Sequence, residues 1–269
     1  MRYDPIKTTL GKFFNKTTGR RKLFYRLLDL LLLRTWYIRK ELKRFARMHP
    51  GPVSVLDAGT GFGQYVCFMQ RKFRNWRVHG IDINEDQLRD VIQFFNKIDS
   101  GKRLSFEVAD LEKYGTDKTF DLILCVDVME HIPDDHAVFR NFSRSLKPGG
   151  MLLISTPSDL GGSDVHDESD KSFIEEHVRD GYNIEAIQKQ LSEAGFIKTK
   201  AYYSYGKPGH ISWLLSMKYP ILMVNNSKLF FLLLPFYYLI TFPPALLLNL
   251  VEVSTKHRRG TGLIVKAWK

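Results

Sequence analysis

Residues 53–63 read VSVLDAGTGFG, and the fold follows from how this stretch is parsed. Val53, Val55 and Leu56 lead into Asp57, which reads as a buried parallel strand. Gly59, Gly61 and Gly63 then recur at every second position. That spacing predicts a tight turn at the carboxyl end of the strand, with bare backbone open to a ligand before a helix begins. In an open α/β sheet, a nucleotide-like ligand sits there.

The surrounding chain supports this parsing. Asp82, nineteen residues after Gly63, closes a second apolar run beginning at Val78. A carboxylate at that strand end can accept both ribose hydroxyls of an adenosine. The dinucleotide fingerprint G-x-G-x-x-G would place a third glycine where Gln64 stands, so the fit to that motif is incomplete. Residues 106–111 (FEVADL), 120–132 (FDLILCVDVMEHI) and 146–157 (LKPGGMLLISTP) continue the alternation of strand and turn.

In this order the four segments resemble the class I S-adenosylmethionine (SAM) methyltransferases, and within them the quinone-type and small-molecule O-methyltransferases. The resemblance covers residues 53–157 well. It implies an α/β, Rossmann-like, doubly wound seven-stranded sheet and SAM as cofactor. It further implies that Asp57, Gly59 and Gly61 meet the methionine end of SAM. Asp82 and Ile83 would hold ribose and adenine, Asp110 and Leu111 the adenine edge, and Asp127 would border the cofactor. Glu130 and His131, in D-V-M-E-H, fall where the family places catalytic groups. His131 is then a candidate base for an acceptor hydroxyl. Glu130 with Asp164 or His166 is an alternative divalent-metal set, although the spacing is not diagnostic and no metal is assigned. His177 is expected to organise its loop or meet substrate. The N/D-P-P-Y signature of adenine methylation and the Pro-Cys nucleophile of cytosine methylation are missing.

Charge is unevenly distributed. The net charge is +11, and residues 1–49 hold 14 Lys or Arg against Asp4, Asp29 and Glu41. The excess therefore belongs to an N-terminal arm and points to an anionic surface. Within it, residues 20–48 predict one or two basic helices with Leu23, Phe24, Leu27, Leu28, Leu31 and Leu32 as the apolar face. Such helices suit either a cover over the cofactor site or a membrane-surface element. Charges interrupt the run and no small-residue cleavage site follows, so a signal peptide is not expected. Cys67 and Cys125 lie in apolar surroundings and read as core thiols of a reducing compartment.

The last two strands of this fold usually form a tight hairpin. Here more than 50 residues separate the strand ending near Tyr205 from the one predicted over 262–268, and residues 229–251 carry no charge. Because the flanking strands must pair, both ends of the insertion emerge on one side, which excludes a single span. Pro235, Pro243 and Pro244 are expected to break the run, leaving a helical hairpin that enters one leaflet or folds over the pocket. The predicted organisation is an arm (1–49), a core (50–205), a hydrophobic insertion (206–259) and a last strand (260–269). Together these features predict methylation, on oxygen, of a hydrophobic or lipid-linked acceptor by a cytoplasmic enzyme peripheral to the inner membrane face. A soluble metabolite enzyme with the insertion as lid or dimer contact is the alternative. An RNA methyltransferase using the arm is a further one, but no RNA module is recognisable, which argues against a nucleic-acid partner. A non-enzymatic SAM-binding protein is the last. The oligomeric state is not legible.

Overall fold

The computed structural model describes residues 17–98, 103–161 and 178–269. Two helices open it, α1 (Thr18–Leu31) and α2 (Leu33–Met48). The alternating core follows: β1 (Val53–Ala58), α3 (Gln64–Lys72), β2 (Trp76–Asp82), α4 (Glu85–Asn96), β3 (Leu104–Val108), β4 (Phe120–Val126), α5 (Asp135–Ser145) and β5 (Leu146–Pro157). After α6 (Ile184–Glu193) and β6 (Lys198–Ser204) comes the insertion, built from α7 (Lys207–Trp213), a π-turn (Leu214–Lys218), α8 (Tyr219–Asn226) and α9 (Leu234–Ser254). Strand β7 (Gly262–Trp268) closes the chain.

The seven strands are ordered β3-β2-β1-β4-β5-β7-β6, with β7 antiparallel to both neighbours. The order reverses between β1 and β4, so their carboxyl ends flank the crevice where a ligand is held. One apolar layer contains Val55, Trp76 and Phe95 and receives Tyr37, Ile38, Leu42 and Phe45 from α2. The opposite layer contains Ile123, Phe139, Phe142 and Leu191. Each fully buried large side chain stabilises by roughly 1.5–3 kcal/mol. The arm is therefore an integral wall of the core and not a tethered appendage. A buried ion pair reinforces it: Lys266 Nζ of β7 lies 2.7 Å from Glu41 Oε2 of α2.

Three local expectations need correction. First, α1 does not bury its leucine stripe. Leu23 and Leu27 are exposed, and Arg21 and Tyr25 face inward instead. The Arg21 guanidinium can be buried because it donates to Asp90 O, Phe62 O and Tyr25 Oη and lies over the Phe94 ring. Second, Pro148-Gly149-Gly150, which read as a turn before a strand starting at Met151, lie inside β5, where the register with β4 shifts between Phe120 and Leu122. Third, Pro243 and Pro244 do not interrupt α9, which runs through them. Each removes one helical N–H, but bonds to the facing arm hold the helix on both sides. Ser212 Oγ donates to Ala245 O at 3.0 Å, and Tyr237 and Tyr238 donate to Leu215 O and Ser216 O. Cys67 and Cys125 are free and buried, as expected.

Candidate active site

The glycine turn is built by backbone bonds from the neighbouring strand. Gly59 N and Thr60 N both donate to Ile81 O at 2.9 Å, and Thr60 Oγ1 donates to Asp57 O. Gly59 adopts φ +80°, and a Cβ there would stand 2.3 Å from Val128 Cγ2. The turn after β1 and the turn after β4 are thus in contact. Gly61, at φ +53°, has nothing nearer than 4.0 Å to where its Cβ would be. Its bare face is the open cradle. Gly63 instead packs against Phe95 and Val91 of α4.

Three acids border this cradle. Asp57 is buried, and its Oδ2 has no hydrogen-bond partner among the described residues. Burial, with the Asp82 charge adding to it, pushes its carboxyl up to about 7. Asp82 accepts from Gly61 N at 2.7 Å through Oδ2 and from Asn84 N at 2.9 Å through Oδ1. It therefore ties the glycine turn to the start of α4, and each oxygen keeps a lone pair for a ribose hydroxyl. Ile83 beside it is exposed, presenting an apolar surface at the mouth. Asp110 caps its own turn by accepting from Glu112 N and lies 3.2 Å from Lys113 Nζ. Leu111 is buried next to it, its carbonyl held by Asn141.

On the far side, Asp127 takes a left-handed conformation (φ +51°) and ion-pairs with Arg34, which reaches across from the first turn of α2. Tyr65 and Tyr205 stand at the same cluster, and the Tyr205 hydroxyl accepts from Arg34 N at 3.1 Å. Residues 129–131 form a 3-10 turn. Glu130 and His131 share this turn but not its surface. Glu130 is 2% exposed and accepts from Thr156 Oγ1 at 3.1 Å; burial, then the Asp127 charge, raises its carboxyl above the usual range. His131 is half-buried. Asp164, His166 and His177 lie outside the described residues.

The roles of Arg34, Tyr65 and Tyr205 escape sequence reasoning. The arm also clamps the glycine turn from above: Tyr25 Oη and Arg21 Nη2 both donate to Phe62 O, and Gln64 Nε2 donates to Asp29 and Thr35. An orphaned buried carboxylate, an uncovered glycine face and a bidentate acid at the end of β2 fit the methionine, sulfonium and ribose parts of SAM.

A family model described as a methyltransferase domain matches residues 30–200. Phosphoethanolamine N-methyltransferase 1 of Arabidopsis thaliana is 34% identical over 159 residues, 58% of this chain and 31% of that protein. Ubiquinone biosynthesis O-methyltransferase of Xanthomonas axonopodis is 31% identical over 113 residues, 41% of this chain and 46% of that protein. The chain thus spans about a third of the length of the first relative. A solved structure of Haemonchus contortus phosphoethanolamine N-methyltransferase 2 with S-adenosyl-L-methionine shares the fold, at TM-score 0.62 and 20% identity, over 97% of this chain and 60% of that one. The family match spans more than half of the chain and covers the whole cradle from Arg34 to Glu130, so the chain belongs to the methyltransferase-domain family, of the class I SAM-dependent type.

Proposed function

We propose that the enzyme methylates an oxygen of a hydrophobic or lipid-linked acceptor at an anionic membrane face, and that it is peripheral on the cytoplasmic side. The observation that carries this reading is the inverted polarity of the insertion. Its seam is lined by Ser212, Ser216, Ala245, Asn249 and Glu252, all buried. Its outside carries Leu229, Leu232, Phe236, Leu239 and Ile240, each between 67% and 75% exposed. Water-soluble helices bury their leucines and expose their polar side chains. Small and hydroxylated seams with apolar exteriors are the pattern of helices packed in lipid. Helix α9 alone has 21 residues, long and apolar enough to cross a membrane. At 1.5 Å per residue it measures roughly 30 Å, about one hydrocarbon core. The strands on either side are paired from Lys198↔Trp268 to Ser204↔Gly262, so the insertion leaves and returns on one side.

In this reading Asp57, Asp82 and the Gly61 backbone fix the cofactor, which supplies an electrophilic methyl carbon. Arg34 and α2 close the site from water. His131 accepts the acceptor's hydroxyl proton, and Glu130, anchored to Thr156, holds the turn that carries it. A second reading places the methyl on nitrogen, favoured by the relatives named phosphoethanolamine N-methyltransferase. The membrane part is tested by flotation with vesicles containing anionic lipid. Leu239→Asp/Ile240→Asp should reduce bound protein by about a hundredfold or more, because each charge placed in hydrocarbon costs about 2.5–3.5 kcal/mol, while SAM binding stays unchanged. Equal flotation of both proteins would contradict it.

A further inference from the structure

At the root of the insertion a cleft of about 440 Å³ opens beside Tyr205. Its walls include Tyr205, Lys207, His210, Ile211, Arg259 and Leu160. No acid lines it. Lys207 and Arg259 are exposed and have no hydrogen bond or ion pair with any described residue. Asp159, which shares the surroundings of Tyr203 with Arg259, is engaged by Asn183 Nδ2 at 2.9 Å. Two cations without a partner among the described residues, and an imidazole, share one cleft, while Glu252 at this root is spent on Gly206 N, Gly209 N and Tyr37 Oη.

The cleft also has a direction. Tyr205 forms its inner wall, and the same side chain accepts from Arg34 N beside Asp127. At the other end, Ile211 begins the apolar exterior of the insertion. An occupant would therefore run from the site, past the cations, onto apolar surface. Arg and Lys together suit a phosphate-class anion. We propose that this cleft binds the anionic, phosphate-class group of an amphiphilic acceptor whose apolar chain follows the insertion. The inference rests on the function proposed above, since it takes the acceptor to be hydrophobic.

The test is calorimetric titration of the full chain, with SAM present, against dodecyl phosphate, dodecyl maltoside and inorganic phosphate, the amphiphiles kept below micelle formation. Dodecyl phosphate should bind at least about tenfold tighter than the maltoside, and Lys207→Ala/Arg259→Ala should abolish that difference, as expected for loss of charge-assisted contacts. SAM affinity should be unchanged in that variant, and Arg140→Ala/Lys189→Ala, which removes two exposed cations elsewhere, should bind like the wild type. The proposal is overturned if dodecyl phosphate gains nothing over the maltoside, or if both double variants weaken it equally. Inorganic phosphate binding as tightly as dodecyl phosphate would overturn the amphiphilic part, the anion then coming from a soluble compound. Because the readout is binding, it separates from the function itself. Methyl transfer to a neutral lipid with no phosphate preference would sustain the function and sink the cleft.

Discussion

Asp57 concentrates the electrostatics of the cofactor site. Its carboxyl is buried, lacks a partner at Oδ2 and titrates near 7. Ionising it without a bound cation is costly, so the sign of its pH dependence is fixed. The unfolded chain loses this proton near ~4 and the folded, cofactor-free chain near 7. Asp57 thus contributes stability that is present below the lower value and is lost as pH rises through the upper one. The melting temperature of the cofactor-free protein should fall between about pH 4 and pH 7 and level off above it, and Asp57→Asn should flatten that fall. SAM, which brings positive charge to the same acid, should bind more tightly as pH rises across 7. Asp57→Asn should remove this pH dependence and weaken binding by about tenfold or more. Equal pH profiles for the two proteins would contradict the assignment. The glycine turn and Asp82 are legible in the sequence from spacing along two consecutive strands, while the role of Asp57 is what the family resemblance implies. Arg34 is not legible, because nothing local distinguishes it from the other arginines of the arm. Its partner Asp127 is 93 positions away.

Among the elements, the root of the insertion is the most tightly specified. Glu252 is fully buried and accepts from Gly206 N and Gly209 N at 2.9 Å and from Tyr37 Oη at 2.6 Å, with His257 Nε2 at 3.1 Å. It joins α7, α9 and α2 at one point. Glu252→Ala would leave buried donors unpaired, each costing about 1–3 kcal/mol. The expected loss is about 3 kcal/mol in urea unfolding, with faster amide exchange in α7 and α9. Glu252→Gln, which keeps an acceptor oxygen, should lie between. Unchanged exchange in the alanine variant would contradict the hub. The sequence announced the insertion through its length and lack of charge, and strand pairing limited its topology. It misjudged α9, because Pro243 and Pro244 read as breakers when only local bonding is counted. The cross-arm bonds from Ser212, Tyr237 and Tyr238 are tertiary and have no local signature. The leucines of α1 failed for a related reason. Helical spacing locates an apolar stripe, but the carbonyls of Phe62 and Asp90 decide that Arg21 turns inward instead.

Over the whole molecule, two features that composition presents separately meet at one site. The basic arm closes the cofactor turn through Arg21 and Arg34, and the apolar insertion is rooted on that arm through Glu252 and Tyr37. Lys40 strengthens the join by donating to Val253 O. Part of the arm's charge is thereby consumed inside the fold, while Lys22 and Arg26 remain exposed on the helix that carries exposed Leu23 and Leu27, and Lys43, Arg44 and Arg47 remain exposed on α2. A cation-rich helix with an exposed leucine stripe suits an anionic lipid surface. Under the proposed function, cofactor, arm and insertion serve one task, the delivery of a methyl group to an acceptor taken from that surface. The most direct measurement incubates the protein with methyl-labelled SAM and, separately, total lipid and soluble metabolite extracts of its source cells. Label transferred into the lipid extract is the predicted result. Label found only in the soluble extract would contradict the membrane account and make the insertion a lid or contact surface over the same cofactor site.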